Sequence, residues 1–330
     1  MQNFDRPIIV ATRGSALALA QAEIVLAQCR AVFPKLRFEL KVVKTTGDKL
    51  QTASLAQAGA KLPKGLFTKE LEAALLRGRA DMAVHSLKDL PTELPAGLEL
   101  GAVCKRADAR DVLIYRAPEE ALGRRGFEPG TRLRDMPPGT VVATSSTRRR
   151  AQLRAVRPDL EFVELRGNVP TRLRKLAEDA RFEATLLAKA GLDRLGISVE
   201  PSGRLEGEGV PEGLLAVVLE PEEMMPCVGQ GAIGIEIRAS DERMRAICAR
   251  LNHFNSFQSV VAERAFLRAM GGGCQSPVAA YAEVVGAELR IRAVSFRTGE
   301  MRRAEVRGPV REPVALGERL AAVLTQAESG

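Results

Sequence analysis

The sequence predicts an α/β protein with two similar sheet units and a smaller third unit, and three observations carry this reading. Short apolar runs of strand type alternate with stretches of helical period, which is the pattern of βα units. The order of those units in the first part of the chain recurs after residue 139. At 330 residues the chain also exceeds what one hydrophobic core fills, roughly 250–300 residues.

Taken in order, residues 8–11 read as a strand, 15–32 as a helix and 38–43 as the next strand. Residues 66–76 form an amphipathic pattern and 81–85 a short buried strand, with Pro91 and Pro95 as breakers. The second series starts at Gly139, where Val141, Val142, Ala143 and Thr144 echo Val10, Ala11 and Thr12 before a Ser-containing turn and a helical stretch. The strand ending at Val43 leads into Thr45, Thr46, Gly47 and Asp48, as the strand at 162–165 leads into Arg166, Gly167 and Asn168. Residues 81–85 match 184–188. The alternative to a true repeat is chance matching of common βα units. Residues 117–138 and 198–213 read as irregular connections. From Asn252 a third unit is expected: a helix at 260–270, a glycine-rich turn, strands at 278–285 and 288–296, and a last helix at 314–327.

Composition narrows the function. The 49 basic and 41 acidic residues leave a net charge of +8, which favours anionic partners. Single-stranded nucleic acid is a poor fit, because such sites use aromatic platforms and the chain has no Trp and two Tyr. No nucleic-acid partner and no membrane partner is expected, since no apolar run approaches a span. The short polar N-terminus carries no signal-type apolar run, so a cytoplasmic protein is expected. Five scattered cysteines without a Cys-x-x-Cys pair read as reduced thiols. Two histidines leave little material for a metal site or a Ser-His hydrolase centre, and no metal is expected.

Several motifs carry chemistry. Arg13 and Ser15 lie at a strand-to-helix junction, where free N–H groups and the helix dipole favour a carboxylate; a helix cap beside a solvated arginine is the alternative. The junction at Thr144, Ser145, Ser146, Thr147, Arg148, Arg149 and Arg150 gathers hydroxyls and adjacent guanidiniums, whose repulsion a bound anion or solvent would relieve. Arg166, Asn168 and Arg172 add donors at the end of the next strand. His85 reads as a satisfied buried histidine. Lys88 and Asp89 emerge at the sheet's carboxyl edge, where Asp89 could stabilise positive charge or pass protons to a leaving amine, or merely pair with Lys88. The run Gly229, Gln230, Gly231, Ala232, Ile233 and Gly234 matches a dinucleotide fingerprint in letters only: no convincing strand precedes it, and a strand rather than a helix follows. Its glycines suit a turn between domains. Cys274, framed by Gly271, Gly272 and Gly273, suits either an attachment site or an inert surface thiol.

Seven ordered stretches, 11–21, 64–72, 83–91, 144–149, 165–173, 228–236 and 262–277, resemble the porphobilinogen deaminase family, and the resemblance spans Ile8 to about Ala282. It implies two domains with the fold of type II periplasmic binding proteins and a smaller C-terminal α/β domain carrying a cofactor cysteine. The expected division is 1–104 with 231–250, then 105–230, then 251–330. The resemblance implies a transferase that condenses four porphobilinogen molecules onto an enzyme-bound dipyrromethane, held by a thioether at Cys274, and then releases hydroxymethylbilane by hydrolysis. Asp89 would be the catalytic residue. Arg13, Ser15, Lys88, Thr144, Ser145, Ser146, Arg148, Arg149, Arg166, Asn168, Arg172, Arg194 and Gln230 would bind cofactor and substrate, with Lys64 on a loop beside the cleft. A monomer with a small-molecule substrate is expected. The competing reading is a carboxylate or oxyanion receptor using the same kind of cleft without catalysis.

Overall fold

The computed structural model describes residues 6–45, 67–121, 123, 125–273 and 276–326. The first stretch runs β1 (Ile8–Arg13), α1 (Ala16–Val32), β2 (Phe38–Val43), α2 (Lys69–Leu76), β3 (Met82–Ser86) and β4 (Leu98–Val103). The second runs β5 (Asp111–Arg116), β6 (Val141–Ala143), α3 (Thr147–Val156), β7 (Glu161–Val163), α4 (Val169–Glu178), β8 (Ala184–Ala188), α5 (Lys189–Asp193), β9 (Ser198–Val199), β10 (Leu205–Glu206) and β11 (Leu214–Leu219). The chain ends with β12 (Ile233–Arg238), α6 (Glu242–Leu251), α7 (Phe254–Ala269), β13 (Val278–Val285), β14 (Glu288–Ser295), β15 (Arg302–Pro309) and α8 (Pro313–Gln326).

Two five-stranded sheets repeat one plan. The first has the order β2-β1-β3-β12-β4 and the second β7-β6-β8-β5-β11. In each, the first three strands are parallel and the fourth is antiparallel to both of its neighbours, so it alone runs against the other four. The fourth strand of each sheet, β12 or β5, is the one the chain enters directly after crossing from the other sheet. The repeat read from sequence is therefore present in strand order and in strand sense.

Local sequence explains the elements that position the site. Helix α1 buries Ala22, Val25, Leu26 and Cys29, spaced as one helical face, against Ile8, Val10, Met82 and Val84. Ser15 caps it, its Oγ accepting from the Ala18 N–H at 3.3 Å. Each fully buried aliphatic side chain of this kind contributes about 1.5–3 kcal/mol. In the second sheet β5 is buried along its whole length, and Val112 and Ile114 face one core while Leu113 and Tyr115 face the other.

The third unit is a three-stranded antiparallel sheet covered by α7 and α8. Helix α7 starts earlier than residue 260, because His253 caps it through its ring, Nδ1 accepting from the Ser256 N–H. Strand β15 escaped the sequence reading: it alternates charged residues with Ala304 and Val306, as exposed edge strands do. Residues 198–213, read as irregular, contain the β9–β10 hairpin. Residues 117–138 keep short helical turns and place Phe127, Leu133 and Met136 in the core.

One buried carboxylate joins the third unit to both crossing segments. Glu263 on α7, without solvent exposure, accepts from Arg106 at 2.6 and 3.1 Å, from the Gly229 N–H at 2.7 Å and from the Ala282 N–H at 2.8 Å.

Candidate active site

Strand β3 delivers Asp89. The strand ends at Ser86, and a single 3-10 turn, Leu87–Asp89, follows. Leu87 is buried and its N–H donates to the Ala232 carbonyl at 3.0 Å, so the turn is anchored while Asp89 stays exposed. Beyond it, Arg264 of α7 donates to the carbonyls of Leu90 and Pro91 at 3.0 and 2.6 Å. The third unit thus grips the segment that carries Asp89.

Asp89 faces a cleft of about 900 Å³ where all three units meet. Its walls include Lys88 and Asp89 from the first sheet, Ser146, Arg148 and Arg149 from the second, Cys227 and Gln230 from the crossing segment, and Arg264, Gly273 and Ser276 from the third unit. Cys274 and Lys64 lie outside the described residues. Gly273 and Ser276, the described residues flanking Cys274, both line this cleft. Burial pushes the Lys88 ammonium below its ordinary range, against the opposing pull of Asp89.

The adjacent cations Arg148 and Arg149 are balanced in part by the protein itself, through one shared carboxylate. Asp111, fully buried at the start of β5, accepts from Arg148 Nη2 at 2.8 Å and from Arg149 Nε and Nη2 at 3.1 and 2.8 Å. Gln230 Nε2 adds a third donor at 2.8 Å. Burial alone would raise the Asp111 carboxyl, but the two guanidiniums outweigh it and hold it far below the usual range. Two arginines against one carboxylate leave one positive charge at this wall of the cleft.

A second cavity of about 420 Å³ adjoins Asp89 and holds Arg13 and Ser15, with His85 and Gln21. Arg13 stacks over the Phe67 ring at 4.2 Å, and Ser15 caps α1. His85 is buried, with Nε2 3.0 Å from Glu236 Oε2, as a satisfied core histidine should be.

Other expected contacts serve local structure. Thr144 Oγ1 accepts from the Ser146 N–H, Ser145 Oγ donates to the Leu165 carbonyl, and Ser146 caps α3. Arg166 pairs with Glu164 near the surface. Asn168 caps α4 and lines a separate groove. Arg172 donates to the Gly167 carbonyl at 2.7 Å, and burial, with Arg149 adding to it, lowers its guanidinium to about 10 while Asp89 opposes. Arg194 donates to the Gly231 carbonyl at 2.6 Å, where the crossing segments meet, and burial lowers it too.

Glycines set the closeness of the crossing. Gly229 has φ +71°, and a Cβ there would sit 3.2 Å from the Lys88 backbone nitrogen. Gly231 has φ +82°, and a Cβ would meet the Ala107 carbonyl oxygen at 2.5 Å. Strand β12 follows them, so the dinucleotide fingerprint has no helix behind it. Asp111, Arg264 and Glu263 were not singled out from sequence; the alternation of Arg and Asp from Arg106 to Asp111 was the available signal for the first.

A family model described as "Porphobilinogen deaminase, dipyromethane cofactor binding domain" matches residues 8–246, and "Porphobilinogen deaminase, C-terminal domain" matches 257–326. The chain belongs to the porphobilinogen deaminase family. It is 45% identical to a relative named porphobilinogen deaminase from Syntrophobacter fumaroxidans, over 87% of this chain and 83% of that one. It is 44% identical to one of the same name from Desulforudis audaxviator, over 98% of this chain and 96% of the relative. Among solved structures, the BenM effector binding domain with benzoate is similar over 75% of this chain and 90% of that one, at 14% identity and a TM-score of 0.40.

The family's cofactor is dipyrromethane, and the cleft residues fit it. Lys88, Arg148, Arg149 and nearby Arg172 are the cations that would hold its acidic side chains. Two acceptors would suit its pyrrole N–H groups: the exposed Asp89 carboxylate, and Gln230 Oε1, which is buried without a hydrogen-bond partner among the described residues.

Proposed function

We propose that this chain is a hydroxymethylbilane synthase that joins four porphobilinogen molecules in succession, with loss of ammonia at each step, and then releases the linear tetrapyrrole by hydrolysis. The observation that carries this reading is the meeting of Asp89 with a cationic cleft that Gly273 and Ser276, on either side of Cys274, also line. The bound dipyrromethane, joined to Cys274 by a thioether, supplies the pyrrole carbon to which the first unit is added.

The chain's own residues bind, orient and balance charge. Arg13 and Ser15 hold substrate carboxylate in the smaller cavity, and Lys88, Arg148, Arg149 and Arg172 hold the acidic side chains in the larger one. Asp89, which borders both, faces the positive charge that develops when protonated amine departs as ammonia, and accepts from pyrrole nitrogen. Gln230 Oε1 serves as a second N–H acceptor. Ser145, Thr144 and Asn168 act by fixing the turns that present Ser146 and Arg172, and Arg194 by fixing the crossing at Gly231.

The division into 1–104 with 231–250, 105–230 and 251–330 as separate domains belongs to this reading, as do a monomeric state and a cytoplasmic location. Among the described residues no helix is long and apolar enough to cross a membrane.

The test is incubation of cofactor-loaded protein with porphobilinogen, following ammonia and tetrapyrrole release, beside the mass of the peptide containing Cys274. Asp89→Ala should lose nearly all turnover and keep its thermal midpoint. No product from loaded protein, or a bare Cys274 peptide in active protein, would refute the proposal.

A further inference from the structure

The crossing segment between β11 and β12 brings Cys227 and Gln230 to the cleft, and Met225, just before them, belongs to no strand. A buried backbone outside the ladders must find other partners for its N–H and C=O groups. Met225 is 7% exposed and finds both partners in one side chain. Its N–H donates to Gln152 Oε1 at 2.8 Å, and its carbonyl accepts from Gln152 Nε2 at 3.0 Å. The same carbonyl accepts from Arg148 Nη1 at 2.6 Å. Arg148 and Gln152 stand one turn apart on α3, both buried, so one face of that helix grips Met225.

The Met225 side chain packs in a different unit. It clusters with Ala279 of β13, Val294 of β14 and Phe296, and Ala151 of α3 packs against the same group. Further along, the Gly229 N–H donates to Glu263 of α7 at 2.7 Å, and the Gln230 N–H closes a turn on the Cys227 carbonyl at 2.9 Å. The crossing segment is therefore tied to α3 at Met225 and to the third unit at Gly229, with Cys227 between the two ties. Arg148 shares in this arrangement, because Asp111 holds its Nη2 at 2.8 Å while Met225 holds its Nη1. A side-chain amide suits position 152 because it donates and accepts at once without charge; a carboxylate would serve the Met225 N–H alone and set a negative charge beside Arg148.

We propose that Gln152 is a positioning residue for the condensation: by clamping the Met225 backbone it sets the cationic wall of the cleft, Arg148 and Arg149, against the third unit, whose Gly273 and Ser276 flank Cys274. Gln152 lines neither cavity and acts through Met225 and Arg148. This rests on the condensation reading, but its first readout does not need turnover.

Gln152→Met keeps the length of the side chain and removes both hydrogen bonds. In cofactor-loaded protein the released segment should expose Cys227, so that iodoacetamide at pH 8 alkylates it at least about fivefold faster than in the parent, while Cys29, Cys104 and Cys248 stay within about twofold. In turnover, kcat should fall about tenfold and KM for porphobilinogen stay within about twofold, because Arg13 and Ser15 still hold the incoming unit while the pyrrole it joins is misplaced. Should Gln152→Met fail to fold, Gln152→Glu, which keeps the bond from the Met225 N–H, should show the same selective rise at Cys227. An unchanged Cys227 rate, a parallel rise at all four thiols, or a higher KM at parental kcat overturns the proposal. Absence of ammonia release by the unaltered loaded protein would instead overturn the condensation reading, which the thiol pattern leaves untouched.

Discussion

Asp111 and Arg149 meet through two hydrogen bonds, Nη2 to Oδ1 at 2.8 Å and Nε to Oδ2 at 3.1 Å, with both side chains out of solvent. This fork, shared with Arg148, decides the charge of one wall of the cleft. Replacing Asp111 by Ala would leave two guanidiniums buried without their counter-ion. The expected loss of stability is about 3–5 kcal/mol, measured by urea unfolding. Because the folded carboxyl lies below its unfolded value of about 3.9, its contribution is complete above that value and fades as pH falls toward the folded one. The gap between parent and variant should therefore persist down to about pH 4 and close only in stronger acid.

Arg172 is held in an unfavourable place, its guanidinium lowered to about 10 first by burial and then by Arg149. An acidic substrate side chain would relieve this. Arg172→Met is expected to reduce kcat/KM by about 10- to 100-fold, the range of a lost charge-assisted hydrogen bond. Its thermal midpoint should be unchanged or higher, since a desolvated charge has gone. A clear drop in midpoint with normal kinetics would show that Arg172 is structural.

Arg264 reaches across from the third unit to the carbonyls of Leu90 and Pro91. Arg264→Met should loosen the segment behind Asp89 and lower kcat about tenfold, because misplacement of a catalytic group is costly even when the fold persists. KM should change less. Steady-state kinetics separates the two, and an equal loss in KM alone would contradict this role.

The thiols should differ sharply in reactivity. Burial is the leading cause that pushes Cys29 and Cys248 up to about 12 and Cys104 up to about 11. Cys227 is half-buried and lines the cleft. Native protein treated with iodoacetamide at pH 8 should be alkylated at Cys227 at least about tenfold faster than at those three, since reactivity follows thiolate fraction and access. Porphobilinogen should slow the reaction; peptide mass spectrometry reads both effects.

Much of the fold was legible in the order of residues. Strands 38–43 and 184–188 are bounded as expected, the first because Phe38, Leu40 and Val42 alternate with Glu39 and Lys41 at the period of a strand, the second because it is a short, mostly apolar run. Strands β4, β5 and β11 were not read: Leu98–Val103 mixes Glu and Gly into its run, and Asp111–Arg116 begins and ends on charge. Their burial depends on pairing with strands far away in the chain, which local periodicity does not register.

For the site, the sequence determined the chemical inventory: Asp89 after a buried strand, the Arg148–Arg149 pair at a helix start, the glycines around Gln230, and Cys274 after three glycines. These are local patterns, set by backbone freedom and side-chain type. Only the tertiary structure decided which charges oppose which. Asp111 lies 37 residues from Arg148, Glu263 lies 157 from Arg106, and Glu236 lies 151 from His85. Each pairing exists because the chain crosses between sheets and returns, so that the folded core, rather than the neighbouring residues, fixes the dielectric and the partners that give each charge its role.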